Sequence, residues 1–596
     1  MSRESSVDDP FLTRQLIPYL GNKRALLRHM RPVFASMIND RADTLFLDPF
    51  AGSGSVSRLA RSLGMAVRAN DWEPYSESIN RCWLELSPKD LAAAFTGFGG
   101  IAAFMAGWNN LHPMAMPATQ SERRYMSRWY APASTDRPDL DAERLFYSAE
   151  NALFIDRVRF RLEDEYAAVV PGSEGDIQRR VILGTLLLEA ATHANTSGVF
   201  KAYHRGFGGH GSDALHRILA RMELEVPYLV DAPPAAVHRE DAAVFCSRHC
   251  ADLVYIDPPY NQHQYGSNYH ILNTIVRWDG QPQLLEKGSD GRLLRKAGIP
   301  EAAAVTKSPY CSRTGASPAL TALFSSIDSA LIVVSWNGDA HLSATELAEL
   351  LSLRGELRIE HLDHASYRGG RQSASKLNRS SEYLFVVDCR KPSQTPERAL
   401  AHLAREQALE QAMRASYHPV RLRRNFLTTA GGLVLDLSEE NRSGEARSGE
   451  ARSELELGST ATLLPLRHLH RLEPGARMVL NSMSDLKMAE ILGKLEVCAC
   501  TGVVDELDVL AGVVSEDLPE NTRASLEARR EAPRLIRKLA HRKYLEAFRL
   551  ALKRFRAIAL AMNDRVLREA LDDVEKIATA RFSYIAELNP REDLKI

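Results

Sequence analysis

Asp257, Pro258, Pro259 and Tyr260 close an apolar run, LVYIDPPYN, spanning Leu253 to Asn261. Two prolines stiffen this loop and remove two N–H donors, so the Asp257 carboxylate and the Pro258 carbonyl both serve as acceptors. Adjacent acceptors suit an amino group, and the Tyr260 ring suits stacking on a planar base drawn out of a helix. A second segment, LFLDPFAGSGSVS from Leu45 to Ser57, reads as a strand ending at Asp48, a glycine loop and the start of a helix. Gly52 and Gly54 permit close backbone approach to a ligand, and the helix start offers free N–H groups. In the dinucleotide fingerprint a third glycine would stand where this chain has Ser57. An acid before the loop suits a nucleotide-like cofactor carrying a cationic amino group better than one carrying a pyrophosphate. Asp71 ends the next apolar run, AVRAND, where a carboxylate accepts both hydroxyls of a ribose.

These residues need elements that bring them together. Short β-rich runs at 44–47, 66–69, 253–256, 330–335 and 383–387 alternate with helical stretches, which predicts an α/β fold with a doubly wound sheet. The stretch from 80 to 235 is too long for a crossover and is expected to form a helical subdomain. The texture changes near 392, where Thr395, Pro396 and Glu397 start a helix running to about Met413. The expected division is 1–391 and 392–596, the latter mainly α with a flexible segment at 440–457 built on a charge-balanced repeat. Between Arg534 and Arg556, basic residues interleave with apolar ones at helical spacing, as in a bundle helix with a solvated basic face or a nucleic-acid contact.

Composition narrows the class. With 45% hydrophobic and 25% charged residues, the chain is neither disordered nor disulfide-dense. Seventy-five basic against 76 acidic residues give a net charge of −1, so contact with a polyanion must come from local patches. The seven cysteines lack the spacing of zinc or redox motifs, no metal site is expected, and a reducing cytoplasm is the expected compartment. The polar N-terminus does not read as a signal peptide, and no apolar run is long enough for a membrane span.

Four motifs in order, PYLGNKRALL (Pro18 to Leu27), DPFAGSGS (Asp48 to Ser55), Asp71 and DPPY (Asp257 to Tyr260), resemble the Dam-like, alpha-class N6-adenine DNA methyltransferases over residues 15 to 390. The resemblance implies a Rossmann-like sheet, S-adenosyl-L-methionine as cofactor and double-stranded DNA as partner. It places Tyr19 and Lys23 against the cofactor, Asp48, Phe50, Gly52 and Gly54 at its methionine end, Asp71 on its ribose and, from a shorter match, Asp241 near its adenine. It makes Asp257, Pro258, Pro259 and Tyr260 catalytic and assigns target recognition to the 80–235 insertion. SWNGD (Ser335 to Asp339) is similar to the class's Ser-aromatic-Asn motif behind the DPPY loop.

Two basic segments are candidate DNA contacts: NTSGVFKAYHRGFGGHG with Lys201 and Arg205, and SYRGGRQSASKLNR with Arg368, Arg371, Lys376 and Arg379. Methylation of another exocyclic amine, cytosine N4 or guanine N2 in RNA, stays open on the DPPY residues alone, as does a non-catalytic DNA-binding role. Cytosine C5 methylation would need a Pro-Cys nucleophile, which the sequence lacks. The stretch from 392 carries no recognisable catalytic motif; extending DNA recognition, binding a protein partner, and membership of a restriction-modification or phage-defence system all stay open.

Overall fold

The computed structural model describes residues 9–37, 44–112, 124–208, 214–279, 287–301, 307–337, 340–362, 382–393, 395–429, 432–436, 461–467, 471–500, 502–515, 523–540 and 544–588. They fall into two compact units, one running to Leu400 and one from Ala401 onward. Among them, no helix is long and apolar enough to cross a membrane.

The first unit is built on a seven-stranded sheet: β1 (Leu45–Asp48), β2 (Ala66–Asn70), β3 (Ala235–His238), β4 (Cys250–Ile256), β5 (Asp328–Asn337), β6 (Glu356–Leu362) and β7 (Glu382–Asp388), in spatial order β3-β2-β1-β4-β5-β7-β6. Strands β1 to β5 run parallel, and β7 is antiparallel to both β5 and β6. Phe46, Leu253, Val254 and Ile332 are buried, as expected for central strands covered on both faces. The chain passes from β1 outward to β2 and β3, then returns to lay β4 on the other side of β1. The C-terminal ends of β1 and β4 therefore flank the topological switch point, where open α/β sheets bind ligands.

Strands β3 and β6 have weak sequence signals. β3 is a four-residue edge strand with one fully buried side chain, and β6, ELRIEHL, interleaves charge on the opposite edge. Between β2 and β3, helices Pro88–Ala94, Ile101–Asn109, Ala149–Tyr166 and Glu174–Thr192 enclose an aromatic-rich core with Trp83, Trp108, Phe154 and Tyr269. Ser148 and Ser173 cap the two long helices through Asn151 N–H and Asp176 N–H.

The second unit combines a four-stranded antiparallel sheet, β8 (Leu427–Thr429), β9 (Gly432–Asp436), β10 (Ala461–Arg467) and β11 (Arg471–Leu472), with helices. The sheet adds β structure to a region expected to be mainly α. Helices Val503–Ser515, Arg523–Lys538, Leu545–Ala561 and Arg565–Leu588 share a core of Leu510, Ile536, Phe555 and Leu571. The basic stretch 534–556 is thus divided between two helices. Acids from neighbouring helices pair with part of it: Arg554 with Asp508, and Arg556 with Asp572 at 2.5 Å and Glu575 at 2.7 Å. The segment 440–457 lies outside the described residues.

Candidate active site

A cleft of about 1030 Å³, open to solvent, lies at the C-terminal ends of β1, β2 and β4. Tyr19, Lys23, Asp48, Phe50, Gly52, Asp71, Asp241, Asp257, Pro259 and Tyr260 all line it. Asp48, the last residue of β1, is buried; Ser57 Oγ donates to its Oδ2 at 2.6 Å, while its Oδ1 has no hydrogen-bond partner among the described residues. Burial pushes its carboxyl up to about 7, against the Ser57 hydrogen bond. A buried, half-satisfied carboxylate oxygen on the wall of a cleft fits a cationic donor group of a ligand.

The loop after Asp48 is shaped by its glycines. Gly52 has φ 51°, donates its N–H to Asp71 Oδ2 at 2.8 Å and accepts from Ser76 Oγ at 2.7 Å. A Cβ there would lie 2.9 Å from the Tyr19 ring. Gly54 differs from the expectation that it lines the cleft. It sits at the N-cap of helix Ser55–Ser62 with φ 77°, and a Cβ would meet Asn80 Oδ1 at 2.1 Å, so it supports the loop from beneath. Asp71 is itself held, since Glu73 N–H donates to its Oδ1 at 2.9 Å, and burial raises its pKa. Asp241 caps helix Ala242–Arg248, with Oδ1 accepting from Ala243 and Val244 N–H at 2.9 and 3.2 Å.

On the far side, Lys23 Nζ lies 3.2 Å from Asp257 Oδ1 and 5.3 Å from the centre of the Tyr260 ring. Ser335 Oγ donates to the same Asp257 oxygen at 3.2 Å. Burial works to lower Lys23, but the facing Asp257 carboxylate together with Tyr260, Glu382 and Tyr255 more than offsets it and holds the ammonium well above its usual range. Burial raises Asp257, with Lys23 opposing. Trp336 lies 6.2 Å from the Tyr260 ring, and Tyr260 O accepts from His341 N–H at 2.9 Å, so SWN at the end of β5 supports the DPPY loop. Pro258 stiffens that loop but does not line the cleft.

The N-terminal turn reaches Asp257 because its neighbours pin it. Tyr19 stacks on Tyr269 and Tyr265 at 5.0 and 5.4 Å, and Leu20 N–H donates to Tyr269 Oη at 2.7 Å. Gly21, at φ 78°, turns the chain to deliver Lys23.

Several wall residues escaped sequence reasoning. Trp72 is 44% exposed in the cleft wall; its place directly after Asp71 was a usable signal. Glu73 accepts from Asn273 Nδ2 at 2.6 Å and is pushed up to about 7 by burial. Tyr310, from the long β4–β5 connection, meets Phe50 edge-on at 5.2 Å. A lone aromatic in such a connection gives no sequence signal.

Of the candidate DNA contacts, Lys201 and Arg205 are exposed, and Arg205 lies 3.8 Å from Asp141. Their loop is fixed by Asn195, fully buried, whose Nδ2 donates to Leu145 O and His204 O at 2.9 and 3.2 Å. Phe200 N–H donates to Asn268 O at 2.7 Å, which ties Lys201 to the segment following DPPY. Arg368, Arg371, Lys376 and Arg379 lie outside the described residues.

At the β3 edge, ligating atoms of His238, Glu240 and His249 lie within 4.8 Å of one another. Guanidinium groups already engage two of them: Arg68 meets His249 Nδ1 at 2.6 Å and Arg248 pairs with Glu240 at 2.6 Å.

Residues 19–100 and 180–293 match the family model of the D12 class N6 adenine-specific DNA methyltransferases. The type II methyltransferase M.NlaIII of Neisseria lactamica is 26% identical over 373 residues, 62% of this chain and 98% of that protein. The modification methylase LlaI of Lactococcus lactis subsp. lactis is 27% identical over 356 residues, 59% of this chain and 51% of that protein. The type II methyltransferase M.FokI of Planomicrobium okeanokoites is 24% identical over 375 residues, 62% of this chain and 52% of that protein, so the matched part spans about half of the latter two. The ordered strand-end acids, the glycine loop and DPPY meet in one cleft, and all of them lie in the residues that match this family model.

Proposed function

We propose that the chain transfers a methyl group from S-adenosyl-L-methionine to the N6 amino group of adenine in double-stranded DNA, as the modification half of a restriction or defence system. The observation that carries this reading is the pairing, in one cleft, of the half-satisfied Asp48 carboxylate with the Lys23–Asp257–Ser335 cluster beside Tyr260. When bound, the cofactor supplies an electrophilic methyl group on a cationic sulfur.

The residues divide the remaining work. Asp48 Oδ1 holds the cofactor's ammonium, Asp71 its ribose, and Asp241 its adenine, with Phe50, Trp72 and Tyr310 supplying apolar walls. Asp257 accepts an amino hydrogen of the flipped adenine, localising the N6 lone pair toward the methyl group. Lys23 and Ser335 fix the carboxylate that does so. Tyr260 stacks on the base, worth about 1–3 kcal/mol. The bound cofactor would supply the methyl group to N6, and the proton released from N6 would leave to solvent.

DNA is held by the 80–235 insertion, with Lys201 and Arg205 on phosphates and the basic segment at 368–379 as a second clamp. The names of the relatives, type II methyltransferase and modification methylase, favour the defence role. The test is incubation of the full chain with methyl-labelled cofactor and duplex DNA, followed by nucleoside mass spectrometry. Label in N6-methyladenine is expected; label in N4-methylcytosine, or only with RNA, overturns the assignment.

A further inference from the structure

We infer that helix Arg523–Lys538 of the second unit is a sequence-independent anchor for the DNA phosphate backbone. Its apolar side is fixed: Ala528, Ala532, Leu535, Ile536 and Leu539, just beyond its end, are buried in the bundle core. Arg530, Arg534, Arg537 and Lys538 are all exposed. At about 100° per residue they share an arc of about 100°, and at 1.5 Å per residue they span about 12 Å.

Among the described residues none of these four has a carboxylate partner, and they lie together on one face. Several other cations of the bundle are neutralised: Arg529 pairs with Asp564 at 3.0 Å, Arg554 with Asp508, and Arg556 with Asp572 and Glu575. A solvated bundle face in a chain of net charge −1 would be expected to mix signs, as the rest of this bundle does. Four cations without a carboxylate partner among the described residues, spread along about two turns and held by a rigid core, match a row of phosphates. DNA is the polyanion that the first unit's family acts on. A second, weaker contact in the same chain would raise affinity by effective concentration and add nothing to site choice.

The test uses the full chain and fluorescence anisotropy with a random-sequence 40-base-pair duplex across about 50–250 mM salt. Replacing Arg530, Arg534, Arg537 and Lys538 with Ala should make the log affinity against log salt slope shallower by about three to four and weaken binding at about 0.1 M salt by tenfold or more. A variant with Arg530→Lys, Arg534→Lys and Arg537→Lys should keep the slope, and kcat at saturating DNA should be unchanged in both. An unchanged slope in a folded Ala variant overturns the inference, as does lost binding to anionic phospholipid vesicles with DNA binding intact. Absence of methyl transfer in the unaltered chain would defeat the methylation reading while leaving the slope comparison valid.

Discussion

Lys23 Nζ stands 3.2 Å from Asp257 Oδ1, joining the N-terminal turn to the loop after β4 in the wall of the cleft. Both groups are largely withdrawn from water, with side chains 5% and 18% exposed, so each depends on the other for its charge. Lys23 was expected to face the cofactor; it also pairs directly with Asp257, the proposed catalytic acid.

Lys23→Met should leave Asp257 without its main stabilising charge. Burial already raises this carboxyl, and removing the cation raises it further, so the acid limb of the pH–rate profile moves to higher pH. The loss of the pair should also destabilise the fold by about 3–5 kcal/mol. An acid limb at the same pH in the variant would show that Lys23 does not set the state of Asp257.

Asp48 gives a pH dependence to cofactor binding. Its carboxyl is pushed up to about 7, so an ammonium ligand meets mostly neutral acid below that pH and carboxylate above it. Affinity for S-adenosyl-L-methionine, read by isothermal titration, should rise between pH 6 and 8, and the rise should be absent in Asp48→Asn. The folded state keeps this proton up to about 7, whereas the unfolded chain loses it near the ordinary value of 3.8. Asp48 therefore lowers the stability of the cofactor-free protein as pH climbs through that window, and Asp48→Asn should flatten the fall in melting temperature.

Gly54→Ala tests the loop's support. The new Cβ would meet Asn80 Oδ1 at 2.1 Å on a backbone of φ 77°, so the strain alone should cost about 1–3 kcal/mol. Cofactor binding should weaken with it, although Gly54 is not in the cleft wall. Combining it with Asn80→Ala should relieve the clash and leave the backbone strain, a partial recovery visible in thermal melts.

Asn195→Ala removes the hub of the Lys201 loop and leaves Leu145 O and His204 O without that donor. A cost of about 1–3 kcal/mol per unsatisfied buried group is expected. KM for DNA should rise severalfold with KM for cofactor unchanged. A change confined to the cofactor would detach this loop from DNA binding.

The sequence was most legible where chemistry demands fixed residues at strand ends. Asp48, Asp71 and Asp257 each close an apolar run, and the parallel sheet brings them to one edge. SWN could be read only by resemblance, and the Ser335–Asp257 hydrogen bond gives that likeness a physical basis. Tyr310 and Glu73 were illegible because tertiary packing alone brings them to the cleft. β3 and β6 were missed because edge strands need few apolar residues, one of the four β3 residues being fully buried. The pairing of Arg554 and Arg556 was hidden for a similar reason, since their acids come from other helices.

The most direct test of the central claim is methylation-sensitive long-read sequencing of DNA from a methylation-free bacterial host expressing the chain, beside the same host expressing Asp257→Ala. N6-methyladenine in one short motif, absent with the variant, is the predicted result. Equal modification with Asp257→Ala, or modified cytosine in place of adenine, would contradict the account.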